Sequence, residues 1–132
     1  MTAAGPLDLP DLTGLTVLVV DDNDDAVEIL ATFLKACGAH VLFARSARDG
    51  LAHIEATPRL DAVVTDVSMP QMDGVEFARR IRQDPRRHSL PVIALTGFYE
   101  QHKKTAEFNA CLRKPCNFDE LCNTITSFAR SA

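Results

Sequence analysis

The feature that most constrains this chain is an alternation of two kinds of segment. Five short runs rich in branched apolar residues, LTVLVV (15–20), AHVLFA (39–44), LDAVVT (60–65), PVIAL (91–95) and ACLR (110–113), are separated by longer stretches with helical spacing. Short continuous apolar runs fit strands buried on both faces of a sheet. In DDAVEILATFLKACG, Val27, Leu30 and Leu34 share one helical face with Phe33 beside them, and Gly38 stands where a C-terminal cap belongs. Ser46 opens SARDGLAHIEA as a cap, and GVEFARRIRQD carries Val75, Ala78 and Ile81 up to the break at Pro85. YEQHKKTAEF has a poor apolar stripe and is the weakest helix. NFDELCNTITSFAR begins at Asn117 with Glu120 three residues on, a capping-box arrangement, and is expected to bury Phe118, Leu121, Cys122, Ile125 and Phe128.

Strands alternating with helices of about ten residues imply βαβ units, and right-handed crossovers then lay helices on both faces of a parallel sheet. The 132 residues fit one domain with its own core. Residues 1–14, with Gly5, Pro6 and Pro10, read as an N-terminal tail or linker, leaving 15–132 as the domain. No apolar run approaches the roughly 20 residues of a membrane span, and the N-terminus lacks a basic segment followed by an apolar one, so a cytoplasmic protein without membrane contact is expected. A net charge of -4 argues against direct nucleic-acid binding. The local basic run ARRIRQDPRRH, 78–88, reads as a solvated helix face. Cys37, Cys111, Cys116 and Cys122 have no metal-site spacing and are expected to be reduced and structural. His40, His53, His88 and His102 read as surface residues.

In a doubly wound sheet, sites form at the carboxyl ends of the strands. VLVVDDN ends on Asp21 and Asp22, AVVTD on Asp66, VIALTG on Thr96 and CLRKP on Lys114. The topology therefore brings three carboxylates, a hydroxyl and an ammonium to one edge. Singly, each has an ordinary reading: Asp21 and Asp22 as helix caps, Asp66 and Thr96 as turn residues, Lys114 as a solvated cation. Jointly that reading fails, because the residues fall at the same end of four strands. Three converging carboxylates repel one another unless a cation joins them. Oxygen-only ligands suit Mg²⁺, which takes one or two carboxylates plus phosphate oxygens and keeps several waters. Lys114 and Thr96 are placed to bind phosphate oxygens, and Asp66 is left to attack phosphorus and form an acyl phosphate.

VLVVDDN, DAVVTDVSMPQMDG, VIALTG and LRKP, in this order and spacing, resemble the receiver domain of two-component response regulators over about residues 15–130. The resemblance implies an α/β, flavodoxin-like, doubly wound parallel sheet of five strands in the order 2-1-3-4-5 with five helices. It implies that Asp66 is the phosphoacceptor, that Asp21 and Asp22 hold Mg²⁺ with Asp66, and that Ser68 adds its backbone carbonyl. Thr96 matches the switch hydroxyl and Lys114 the phosphate-pairing lysine, with a cis Lys114–Pro115 bond. The implied donor is a phosphohistidine on a histidine kinase or histidine phosphotransfer protein, and the implied output is a protein target on the 96–113 face.

The chain departs from the family pattern at Cys111, where an aromatic residue usually stands. A small thiol cannot fill or vacate an aromatic pocket, so the readout is expected to run through the loop after Thr96, with Phe98 and Tyr99 as its moving bulk. Ser68 and Phe98 also stand where receivers tune the water that hydrolyses the phosphoryl group, so phosphate lifetime is expected to differ from that of receivers with a polar pair there. The chain ends with its last helix, which suits a stand-alone regulator, a phosphorelay intermediate or a receiver cut from a hybrid kinase. Two other readings stand beside this one. A Mg²⁺-dependent aspartyl phosphatase or phosphotransferase commonly carries a second Asp two residues after the nucleophile, where this chain has Ser68. A pseudo-receiver that binds partners without phosphorylation sits poorly with the complete set of site residues.

Overall fold

A computed structural model describes residues 9 to 130. Five strands, β1 (Thr16–Val20), β2 (His40–Ala44), β3 (Ala62–Asp66), β4 (Val92–Thr96) and β5 (Ala110–Arg113), form one parallel sheet in the order β2-β1-β3-β4-β5. Five helices lie between and after them: α1 (Asp24–Ala36), α2 (Ala47–Ala56), α3 (Gly74–Gln83), α4 (Tyr99–His102) and α5 (Phe118–Ala129), with a 3₁₀ turn at Pro85–Arg87. This is the flavodoxin-like arrangement the sequence implied. The register pairs Val20 with Thr65 and Asp66 with Leu95, so the ends of β1, β3 and β4 come out together.

Alternation along the strands divides the core in two. Val17, Val19, Val64, Ile93 and Leu95 pack on one side with Leu30, Ala31 and Leu34 of α1 and Leu121, Cys122 and Ile125 of α5. Leu18, Val20, Val63, Val92 and Ala94 pack on the other with Ala47 and Ile54 of α2 and Phe77, Ala78 and Ile81 of α3. Burying a side chain the size of Phe77 contributes about 1.5–3 kcal/mol, and it is fully enclosed. A stacked pair, Phe33 on Phe118 with centroids 4.3 Å apart, ties α1 to the start of α5.

The caps follow the expected chemistry. Asn23, Ser46, Asp73 and Asn117 each accept a backbone N–H with their side chain at the start of α1, α2, α3 and α5. Gly38 follows α1 at φ +99°, the left-handed conformation that ends helices.

Several details differ from the sequence reading. α4 is one turn long, and the chain from Lys103 to Asn109 forms turns instead of completing a helix. Phe128 is exposed and Phe118 is half-buried, so only Leu121, Cys122 and Ile125 carry the buried stripe of α5. His53 and His102 are half-buried. The 78–88 run is not simply solvated. Arg87 donates to the carbonyls of Ile54 and Thr57 at 2.6 and 2.7 Å, holding the end of α2. Arg82 donates to the Leu90 carbonyl and to Asn109 Oδ1, which also accepts the Val92 N–H.

Within the expected N-terminal tail, residues 1–8 lie outside the described residues. Leu12 is fully buried, its N–H bonded to the Cys37 carbonyl at 2.8 Å, and Arg130 donates to the carbonyls of Asp11 and Thr13.

Candidate functional site

Asp66 is the last residue of β3 and is buried with 8% exposure, while its backbone stays paired in the centre of the sheet. Asp21 follows β1 directly and is 3% exposed; Asp22 beside it is exposed. One carboxylate oxygen from each of Asp21, Asp22 and Asp66 lies within 4.8 Å of the others. Lys114, just after β5, brings its Nζ to 3.1 Å from Asp66 Oδ1 and 3.6 Å from Asp21 Oδ2. Three negative charges thus face one ammonium.

Backbone donors fix the carboxylates. The Asn23 N–H donates to Asp21 Oδ1 at 3.0 Å, and the Val67 N–H to Asp66 Oδ1 at 2.9 Å. Burial pushes the Asp21 carboxyl above the usual range against the Asn23 N–H, and the Asp66 charge adds to the rise. Burial works against the Lys114 cation, yet its bonds to Asp66 and Asp21 outweigh that and hold its pKa above the ordinary lysine value.

Thr96 ends β4, buried, and its hydroxyl oxygen accepts the Phe98 N–H at 2.9 Å; its carbonyl accepts the Lys114 N–H at 3.0 Å. The Lys114–Pro115 bond is cis. Ser68 is exposed in the loop after β3, and Gly74 closes that loop. Gly74 donates its N–H to the Val67 carbonyl at 2.8 Å, and a Cβ on it would stand 2.4 Å from the Asp66 carbonyl oxygen. Only glycine fits there. Within the same loop the Met72 N–H bonds to the Pro70 carbonyl around Gln71 at φ +71°, a γ-turn.

Beside this edge, Phe98 is 56% exposed and the Arg113 guanidinium sits 4.2 Å above the Tyr99 ring. Arg113 also pairs with Glu100, which pairs with Lys103. Cys111 is half-buried against the α2 and α3 side of the core. Sequence reasoning did not single out Thr65, Asn23 or Arg113; a threonine inside an otherwise apolar buried strand was the signal available for the first.

The donor set fits a hard divalent cation. It is made only of oxygens, and its one ammonium leaves the three carboxylates undercompensated.

Comparison with known proteins agrees with the fold. The family model for the response regulator receiver domain matches residues 17–126, and the chain belongs to that family. It is 36% identical over 122 residues to an uncharacterized 14.6 kDa protein of Leptolyngbya boryana, covering 89% of this chain and 92% of that protein. It is 33% identical over 123 residues to the sensor histidine kinase RcsC of Escherichia coli, covering 90% of this chain but only 13% of the kinase. Among solved structures, the receiver domain of a sensor histidine kinase from Pseudomonas aeruginosa, with a magnesium ion coordinated in its active site cleft, superposes with a TM-score of 0.82. The identity there is 27%, covering 90% of this chain and all of that one. The protein is thus a phosphoacceptor module of two-component signalling. Among the described residues no helix is long and apolar enough to cross a membrane.

Proposed function

We propose that Asp66 is the residue that accepts the phosphoryl group. The observation that carries this reading is the meeting of Lys114 with Asp66 and Asp21, at 3.1 and 3.6 Å, inside a cluster of three carboxylates. Asp21, Asp22, Asp66 and the Ser68 carbonyl would hold Mg²⁺. When bound, the ion supplies positive charge to the oxygens of the transferring phosphoryl group.

The donor is a phosphohistidine on a histidine kinase or a histidine phosphotransfer protein. A carboxylate oxygen of Asp66 attacks phosphorus, the P–O bond forms as the P–N bond breaks, and the imidazole nitrogen leaves with the bonding electrons. Val67 N–H and Lys114 both engage Oδ1, which leaves Oδ2 for the attack. Lys114 then pairs with the new phosphoryl oxygens, and the Thr96 hydroxyl turns from the Phe98 amide toward them.

That movement pulls on the loop bearing Phe98 and Tyr99, so the 96–113 face presents a different surface to a protein target. Residues 15–132 act as the receiver, in the cytoplasm, and catalyse nothing beyond their own phosphorylation and dephosphorylation. The test is incubation with acetyl phosphate and Mg²⁺: one acid-stable, hydroxylamine-labile phosphate per chain, lost in Asp66→Asn, is the expected result. Continuous turnover of a phosphate ester would sink the reading.

A further inference from the structure

Four polar side chains are buried among the described residues: Asp21, Thr65, Asp66 and Thr96. Three belong to the site proposed above. Thr65 does not, and its surroundings do not ask for a hydroxyl. It is fully enclosed in β3, between Val20 of β1 and Ala94 of β4, both of which belong to the apolar core beneath α2 and α3. Valine has the same shape and would suit that core better, since a buried hydroxyl is costly unless bonded.

The Thr65 hydroxyl is bonded, and its partner is informative. Oγ1 donates to the backbone carbonyl of Asp66 at 2.8 Å. The N–H of the same peptide unit, that of Val67, donates to Asp66 Oδ1 at 2.9 Å, and Lys114 reaches that same oxygen at 3.1 Å. The Asp66 carbonyl oxygen is also closed in by Gly74, whose missing Cβ would lie 2.4 Å away. One peptide plane is therefore held at its oxygen by a hydroxyl and walled by a glycine, while its nitrogen holds the carboxylate.

We infer that Thr65 is a positioning residue for phosphoryl transfer: its hydroxyl sets the tilt of the Asp66–Val67 peptide, and through the Val67 N–H the direction of the Asp66 carboxylate. The inference rests on Asp66 being the phosphoacceptor. Without the hydroxyl the carbonyl loses its partner, the peptide rocks, and the attacking oxygen spends less time in line with phosphorus.

The experiment compares the full-length wild type, Thr65→Val, Thr65→Ser and Asp66→Asn for the rate of phosphorylation at increasing acetyl phosphate with Mg²⁺, alongside melting temperatures and the Val67 amide resonance. Thr65→Val is expected to stay folded, to be phosphorylated about 3- to 10-fold more slowly, the factor of one lost hydrogen bond, and to shift the Val67 amide proton. Thr65→Ser keeps the hydroxyl and should hold its rate within about twofold while melting lower for want of the methyl group. Should Thr65→Val not fold, Thr65→Ala slower than Thr65→Ser by the same factor supports the assignment. A Thr65→Val chain phosphorylated at the wild-type rate, or a Thr65→Ser chain slowed as much as Thr65→Val, overturns it while leaving Asp66 as acceptor. A wild-type chain that takes no phosphate overturns both.

Discussion

Lys114 Nζ stands 3.1 Å from Asp66 Oδ1 and 3.6 Å from Asp21 Oδ2, so one ammonium serves two buried carboxylates from different strands while Asp22 adds a third negative charge nearby. The site is balanced only in part. Without a divalent cation, neutralising one carboxylate should stabilise the fold. Asp21→Asn is expected to raise stability in EDTA by about 1 kcal/mol through relief of like-charge repulsion, and Lys114→Gln to lower it by about the same amount. Denaturant unfolding in EDTA measures both.

Mg²⁺ should then reverse that order. A ligand that binds only the folded chain adds about 1.4 kcal/mol at ten times its Kd, and Asp22→Asn and Asp66→Asn should lose most of the effect. The dependence on pH has a definite sign. The Asp21 carboxyl is held above the usual range by burial first, then by the Asp66 charge. Protonation therefore competes with the metal at a higher pH than for an exposed Asp, and Mg²⁺ stabilisation fades as pH falls through that raised value. Melting temperature against pH, with and without Mg²⁺, checks it.

Tyr99 gives the readout a built-in reporter. It is the only tyrosine in a chain without tryptophan, and it sits 4.2 Å under the Arg113 guanidinium. If the loop after Thr96 carries the signal, phosphorylation or beryllofluoride with Mg²⁺ should change tyrosine emission, and Arg113→Ala should mimic part of the change. Emission that stays constant while Asp66 is occupied would mean the loop is not the moving part.

Arg87 tests a structural claim. Its guanidinium caps the carbonyls of Ile54 and Thr57, so Arg87→Ala should cost about 1–3 kcal/mol with the phosphorylation rate unchanged. Arg79 pairs with Glu76 on an exposed surface, and Arg79→Ala should stay within about 0.5 kcal/mol of wild type.

The thiols predict alkaline behaviour. Cys122 is fully buried, and burial, with Cys37 beside it, pushes its pKa up to about 12. The unfolded chain releases that proton near the ordinary thiol value of 9.0, so stability is retained below that pH and falls as pH climbs toward 12. Cys122→Ala should flatten the decline in pH-dependent unfolding.

The strands and the gathering of the candidate site residues were legible because both depend on local pattern. Branched apolar runs ending in Asp21, Asp66, Thr96 and Lys114 announce a buried parallel sheet with chemistry at one edge, and parallel topology alone brings those ends together. What escaped depends on contacts distant in sequence. Arg82 and Arg87 look like solvated charges until Leu90, Ile54 and Thr57 are folded beneath them. Phe128 looked like a core residue by helical spacing, but α5 buries a narrower stripe. The residues from Lys103 to Asn109 could not be told from a weak helix, because their fate depends on how tightly the chain must turn to reach β5.

Mapping the phosphorylated residue decides whether Asp66 is the acceptor. The chain is phosphorylated by a histidine kinase or by acetyl phosphate in Mg²⁺, the acyl phosphate is trapped by borohydride reduction, and the modified residue is located by peptide mass spectrometry. A single site at Asp66 is expected, absent in Asp66→Asn and strongly reduced in Asp22→Asn. Modification at Asp21, Asp22 or a histidine, or an unmodified Asp66 under conditions where the donor is consumed, would contradict it.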